Sequence, residues 1–261
     1  MIANYHTHTI RCHHAGGTER EYIEAAIEKG FQILGFSDHT PQPYPKYYTS
    51  GIRMSVEELP DYTDTLCALR EEYKDQIRIL IGLEAEYSPA YFDDLLKLLK
   101  DYPIDYLIQG QHYVSDEITG FYAGDMTDSE ERLKAYVDTT IEGMKTGCFT
   151  YLAHPDLINF TGSDAIYQNH MRRLVETAIT LSIPLEVNMY GFIGGRWYPK
   201  DRFFSMASVM GASFVIGCDA HNPKIIAQPE DVPFFKDFLD RNDISADDNL
   251  VTLRPVGKSI R

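Results

Sequence analysis

Seven short apolar runs alternate with helical patterns along this chain, and nearly all of them lead into a histidine, an aspartate or a glutamate. Met1-Ile2-Ala3 leads into Tyr5-His6-Thr7-His8-Thr9. Residues 31–36 lead into Ser37-Asp38-His39, residues 77–83 into Glu84, and residues 105–108 into Gln109-Gly110-Gln111-His112. Residues 149–153 stop at His154-Pro155, residues 184–187 at Asn188, and residues 213–217 just before Asp219-Ala220-His221. Unbroken apolar runs of this length fit strands buried on both faces, as in a parallel sheet covered by helices.

The segments between the runs carry helix signals. Thr18-Glu19-Arg20-Glu21 has the form of a capping box and opens a helix over 18–30, with Ile23, Ala26 and Ile27 as its apolar stripe. Further helices are predicted over 60–74, 91–100, 128–145, 166–181, 202–210 and 229–239, and residues 250–253 are a candidate terminal strand. Pro41, Pro43 and Pro45 rule out regular structure in the segment after Asp38-His39 and predict a tyrosine-rich surface loop. Residues 113–126 and the glycine-rich stretch 191–196 also read as loops.

Strands joined by helical crossovers are parallel, and they form either a doubly wound sheet or a closed barrel. The barrel fits better, because polar residues follow nearly every strand rather than one switch point. With 44% hydrophobic residues and no Pro/Gly/Ser linker, the 261 residues read as one domain, 1–261. No run of about 18 apolar residues predicts a membrane span, and the start lacks the basic and apolar regions of a signal peptide. Cys12, Cys67, Cys148 and Cys218 have no framework spacing and read as reduced thiols of a cytoplasmic protein. A net charge of -15 argues against a nucleic-acid polymer as partner. It suits an anionic substrate only where bound cations reverse the local field.

In a barrel the C-terminal strand ends share one face. That face would collect His6, His8, Asp38, His39, Glu84, His112, His154, Asp219 and His221, with His13 and His14 in the loop after the first strand. Of the nine histidines only His170 lies clearly in a predicted helix, whereas unrelated histidines would scatter. So many carboxylates and imidazoles at one end call for metal. The set is large enough for two or three divalent ions, and its nitrogen and oxygen donors suit manganese, zinc or iron. Cys12 reads as a neighbour of the ligands.

The chain resembles the PHP (polymerase and histidinol phosphatase) superfamily, and within it the histidinol-phosphatase-like phosphoesterases. The motifs carrying the resemblance are His6-Thr7-His8-Thr9, Ser37-Asp38-His39, Gly82-Leu83-Glu84, Gln111-His112, Ala153-His154-Pro155, Leu185-Glu186-Val187-Asn188 and Asp219-Ala220-His221, in the family's order. The resemblance implies a distorted (β/α)7 TIM-like barrel with a metal cluster at the C-terminal face of the strands. It implies one ion held by His6, His8, Glu84 and Asp219, a second sharing Glu84 with His112 and His154, and a third on His14, His39 and His221. His14 matches the family's spacing, with His13 as the alternative by a slip of one. Asp38 would orient a ligand or a water.

The implied activity is metal-dependent phosphomonoester hydrolysis, with L-histidinol phosphate as substrate and histidine biosynthesis as its setting. Catalysis would run through His6, His8, Glu84, His112, His154, Asp219 and His221, by way of the metals. Arg196, in the glycine-rich loop, is the first candidate for a cation at the phosphate, with Arg53 and Arg11 behind it. Tyr44, Tyr47, Tyr48 and Tyr113 are candidate walls for a small leaving group. The family often carries an arginine a few residues beyond the histidine of the fifth strand. Here residues 154–160 read His-Pro-Asp-Leu-Ile-Asn-Phe, a departure that bears on the substrate rather than on the metal chemistry.

Three other readings stand beside this one. Amidohydrolases also begin with His-x-His, but they usually carry a lysine at strand four where this chain has Gln111-His112. A PHP-type enzyme could act on a nucleotide or another phosphate ester, including a diester. A non-catalytic PHP module would be expected to lose ligands, and none is missing here.

Overall fold

The apolar runs become strands of a single parallel sheet in the computed structural model, which describes residues 1–257. The strands are β1 (Ala3–Asn4), β2 (Ile33–His39), β3 (Arg78–Ala85), β4 (Tyr106–Gln109), β7 (Phe149–Leu152), β8 (Leu185–Asn188) and β9 (Phe214–Gly217), hydrogen-bonded in that order. Strands β5 (Tyr113–Val114) and β6 (Phe121–Tyr122) form a separate antiparallel hairpin. The outer helices are α1 (Glu19–Glu28), α2 (Leu59–Glu72), α3 (Phe92–Leu99), α4 (Glu130–Lys145), α5 (Asp164–Thr180) and α7 (Asp201–Val209), with short α6 (Met189–Ile193) and α8 (Phe235–Arg241). Strand and crossover helix alternate as the apolar periodicity predicts. The capping box is present: Glu21 N donates to Thr18 Oγ1, and Thr18 N donates to the Glu21 carboxylate at 2.7 Å.

The sheet curls into a nearly closed barrel. Between β9 and β1 the ladder is replaced by a bridge of Thr7 with Ala220, in which His8 N donates to Ala220 O at 3.0 Å. At the opposite end one side chain spans the gap. Asn249 Oδ1 accepts from Ile216 N at 2.7 Å, and its Nδ2 donates to Ala3 O and to Ile216 O, both at 2.8 Å.

The barrel interior is filled by Ala3, Tyr5, Leu80, Tyr106, Ile108, Tyr151, Ala153 and Val215. Tyr106 reaches across it to donate to Tyr5 O at 2.6 Å. It fits because Gly35 and Gly82 face it; a Cβ at either would stand 2.2 or 2.3 Å from the tyrosine. A larger apolar layer lies between strands and helices.

Four local expectations are corrected. Residues 250–253 form no strand; Val251 and Leu253 instead pack beneath the barrel interior, in the segment that follows Asn249. The segment 113–126 contains the β5–β6 hairpin, which its short aromatic pairs conceal. The stretch 191–196 is helical as far as Ile193, because the Asn188 side chain caps α6 by accepting from Gly191 N at 2.8 Å. The helix over 229–239 is split: a short 3-10 turn at Pro229–Asp231 precedes α8, and Phe234, at φ 63°, breaks the run between them.

Candidate metal centre

Register brings the polar strand ends level. In β2–β3 pairing His39 lies opposite Glu84, and Glu84 lies opposite Ile108 of β4, so the histidine of the following loop arrives beside it. Glu84 becomes the hub. Its Oε1 stands 2.8 Å from His154 Nε2 and 3.6 Å from His112 Nε2; its Oε2 stands 2.9 Å from His39 Nδ1 and 3.6 Å from both His6 Nε2 and His8 Nε2. Asp219 Oδ1 lies 3.1 Å from His8 Nε2 and 3.5 Å from His6 Nε2. On the far side His14 Nε2 faces His221 Nε2 at 3.1 Å, and the His14 and His39 ring centroids are 5.4 Å apart.

All nine residues named as metal ligands therefore meet on one barrel end. Their donor atoms gather in triads: His6, His8 and Asp219; His6, Glu84 and His154; His8, His39 and Glu84; and His14, His39 and His221. His112 stays at the edge, within reach of Glu84 alone among the carboxylates of the hub. His13 is exposed and takes a left-handed backbone, while His170 packs on α5 against Glu130. Cys12 is buried beside His8 and His221. Two of the nine, His154 (φ 28°) and Asp219 (φ 50°), hold positive backbone angles, a strain that persists where surrounding structure over-determines it.

A family model described as PHP domain matches residues 4–189. The chain belongs to the PHP domain family. A probable histidinol-phosphatase of Deinococcus radiodurans is 29% identical over 239 residues, which is 85% of this chain and 87% of that one. A probable histidinol-phosphatase of Schizosaccharomyces pombe is 28% identical, covering 85% of this chain and 81% of that one. The crystal structure of histidinol phosphate phosphatase from Lactococcus lactis, complexed with zinc, L-histidinol and phosphate, shares the fold at TM-score 0.69 and 18% identity, covering 94% of each chain.

The electrostatics of this PHP domain call for cations. Burial opposes a charged Glu84, but the surrounding His112, His39 and His6 hold its pKa well below the ordinary carboxylate range; burial likewise yields to His6, His8 and His221 at Asp219. Burial also opposes a charged His6, yet Glu186, Asp219 and Glu84 lift it to about 10. His221 goes the other way, to about 3, through burial and the charge on His8. Glu84 Oε2 and Asp219 Oδ1 are buried without a hydrogen-bond donor, and imidazole nitrogens face each other at 3.2 Å between His6 and His8. Acceptor atoms crowded without donors, in a nitrogen and oxygen set, fit divalent metal ions.

Around the cluster, a cavity of about 230 Å³ is lined by its own His14, His39, Glu84, His112, Asp219 and His221, with Tyr113, Tyr122, Tyr190, Tyr198, Ile52, Leu157 and Arg196. Arg196 stacks over Tyr190 at 4.6 Å and makes no ion pair among the described residues. Arg11 and Arg53, expected at the substrate, are spent elsewhere and do not line this cavity. Arg11 binds Glu19 and Asp61, and Arg53 binds Glu86 and Glu117. Among the loop tyrosines only Tyr113 faces the cavity. Tyr44 and Tyr48 pack edge to face beside a separate 430 Å³ cavity under the 42–57 loop, and Tyr47 is 83% exposed.

Two supporting residues had no assigned role from sequence. Glu186 accepts from the His154 N–H at 2.9 Å and from Asn188 Nδ2 at 2.9 Å, and its other oxygen lies 2.7 Å from His6 Nδ1. Asn188 also donates to Asp219 at 3.0 Å, so one carboxylate aligns three of the candidate ligands. The available signal was the acid within the otherwise apolar run of strand β8. Asp38 accepts from Thr9 N at 3.1 Å and from its own neighbour His39 N at 2.8 Å, which fixes the turn carrying His8; its Oδ1 is 3.4 Å from His8 Nδ1, out of line for a hydrogen bond.

Proposed function

We propose that this chain is a metal-dependent phosphomonoesterase that hydrolyses L-histidinol phosphate to L-histidinol and phosphate, as a cytoplasmic step of histidine biosynthesis carried by one domain. The observation that carries this reading is the convergence of five imidazoles on buried Glu84 beside Arg196, a cation that pairs with no carboxylate among the described residues. The names of the Deinococcus radiodurans and Schizosaccharomyces pombe relatives support the substrate.

His6, His8, Glu84 and Asp219 would hold one divalent ion, Glu84 with His112 and His154 a second, and His14, His39 and His221 a third. Bound ions of this kind supply Lewis acidity toward phosphoryl oxygens and lower the pKa of a water. The chain's own residues do the rest. Glu186 holds His6 through Nδ1 and leaves Nε2 turned toward the cluster. Arg196, held over the Tyr190 ring, pairs with the phosphate and stabilises charge developing on it. Tyr113, Tyr122, Tyr190 and Tyr198 exclude water and wall the organic leaving group.

The test is phosphate release by manganese-loaded protein from L-histidinol phosphate, nucleotides and sugar phosphates. A kcat/KM for histidinol phosphate higher by orders of magnitude is the expected result. Equal turnover across the panel removes the biosynthetic role, and no turnover removes the phosphatase. One observation favours a second reading, a phosphatase of another small ester: where family members often place an arginine, Phe160 is buried and stacks on Tyr167.

A further inference from the structure

Glu117 sits in the turn of the β5–β6 hairpin, with a side chain only 6% exposed. Its carboxylate accepts hydrogen bonds from three side chains of one other loop. Tyr48 Oη donates at 2.7 Å, Ser50 Oγ at 2.7 Å and Arg53 Nε at 2.8 Å. The Arg53 side chain is 1% exposed, so this is a buried, charge-assisted hub rather than a surface pair. The two loops it joins are walls of the reaction cavity: Ile52 comes from one, Tyr113 and Tyr122 from the other. Loops of this kind carry little stability of their own, and a buried hub is what holds them in one arrangement.

We propose that Glu117 is a specificity-setting clamp: by tying Tyr48, Ser50 and Arg53 to the hairpin, it holds Ile52, Tyr113 and Tyr122 against the organic part of the phosphate ester. This rests on the phosphatase reading above. Among the described residues Glu117 makes no hydrogen bond or ion pair with a cluster residue, so it is a positioning residue. An indirect path leads from it to the cluster through Arg53 Nη2, 3.2 Å from Glu86 Oε1, which lies 3.2 Å from His112 Nδ1. Aromatic and aliphatic wall atoms recognise a leaving group; they offer little to free phosphate, which is read by cations.

The test compares metal-loaded wild type with Glu117→Ala and Glu117→Gln in three constants: KM and kcat for the best monoester of the panel, and the inhibition constant of inorganic phosphate. Loss of the hub is expected to raise KM about 10-fold or more, with kcat and phosphate inhibition within about threefold. Glutamine keeps an oxygen for Arg53 and an amide that the hydroxyls can accept from, so Glu117→Gln is expected to recover most of the loss. An unchanged KM, or a phosphate inhibition constant that rises in step with KM, overturns the proposal. If Glu117→Ala does not fold, the Tyr48→Phe, Ser50→Ala double variant removes two of the three donors, and the same pattern is expected of it. Hydrogen exchange gives a readout independent of turnover. Amides of 41–55 and 113–122 should exchange faster in the variant while those of β7 to β9 do not, and unchanged protection in the loops overturns the clamp. Were wild type to hydrolyse no monoester, the phosphatase reading would fall and the exchange result alone would decide the clamp.

Discussion

Glu84 reaches five imidazoles because it lies next to last in β3, level with His39 of β2 and close to the loop or strand ends that carry His6, His8, His112 and His154. Its exchange should be far more damaging than that of any single histidine. Glu84→Gln is expected to lower bound metal, measured by elemental analysis, and to remove turnover, while circular dichroism shows the barrel intact. Glu186 acts one layer further out, and layers of this kind typically tune metal affinity by about 10–100-fold. Glu186→Gln should weaken metal binding by that factor in a competition titration with a chelating dye; affinity equal to wild type would remove its orienting role. Arg196→Ala should raise both KM and the inhibition constant of inorganic phosphate by about 10–100-fold, the worth of one hydrogen-bonded charge. That pattern separates Arg196 from Glu117, for which only KM is expected to move.

Among the elements, close approach between neighbouring strand ends leaves the site no slack. A Cβ at Gly110 would fall 1.8 Å from Glu84 Oε1, and one at Gly217 would fall 1.9 Å from Glu186 Oε1. Gly110→Ala should therefore expel Glu84 from the hub and reproduce the loss of metal expected of Glu84→Gln, although the residue bears no ligand itself. The contrast is Thr18→Ala at the start of α1. Losing an N-cap typically costs about 1 kcal/mol, so a lowered Tm with unchanged kcat/KM is expected there. Corrected elements have local causes of the same kind: the Asn188 side chain that caps α6 and the positive φ at Phe234 are contacts and angles, not periodicities.

The whole molecule depends on closing the gap between β9 and β1, since His6, His8, Asp219 and His221 flank it. Asn249, far along the chain from β1, supplies that closure at the end away from the cluster. Asn249→Ala removes three hydrogen bonds to strand backbone and should cost roughly 2–4 kcal/mol at about 1 kcal/mol each, read as a lower denaturation midpoint with the urea slope unchanged. A buried cluster of four carboxylates, Asp38, Glu84, Glu186 and Asp219, is also expected to lean on cations for stability. Chelation should lower Tm, and added manganese or zinc should restore it. Among the described residues no helix is long and apolar enough to cross a membrane.

The apolar runs and the polar residues that end them were legible in the amino-acid sequence, and so were the seven-stranded parallel barrel and the nine residues that meet on one face. The physical reason is that parallel strands with helical crossovers must all point the same way, so their C-terminal ends converge whatever the detail of packing. What only the tertiary structure decided is how each side chain is spent. Arg11, Arg53 and Arg196 are all candidates along the chain, yet Arg11 is neutralised by Glu19 and Asp61 and Arg53 by Glu86 and Glu117, while among the described residues Arg196 pairs with no carboxylate. Tyr122, Tyr190 and Tyr198 displace the proline-loop tyrosines as cavity walls for the same reason. Glu186, Glu117 and Asn249 owe their places to partners between 32 and 246 positions away, and no local pattern records a contact across such a separation.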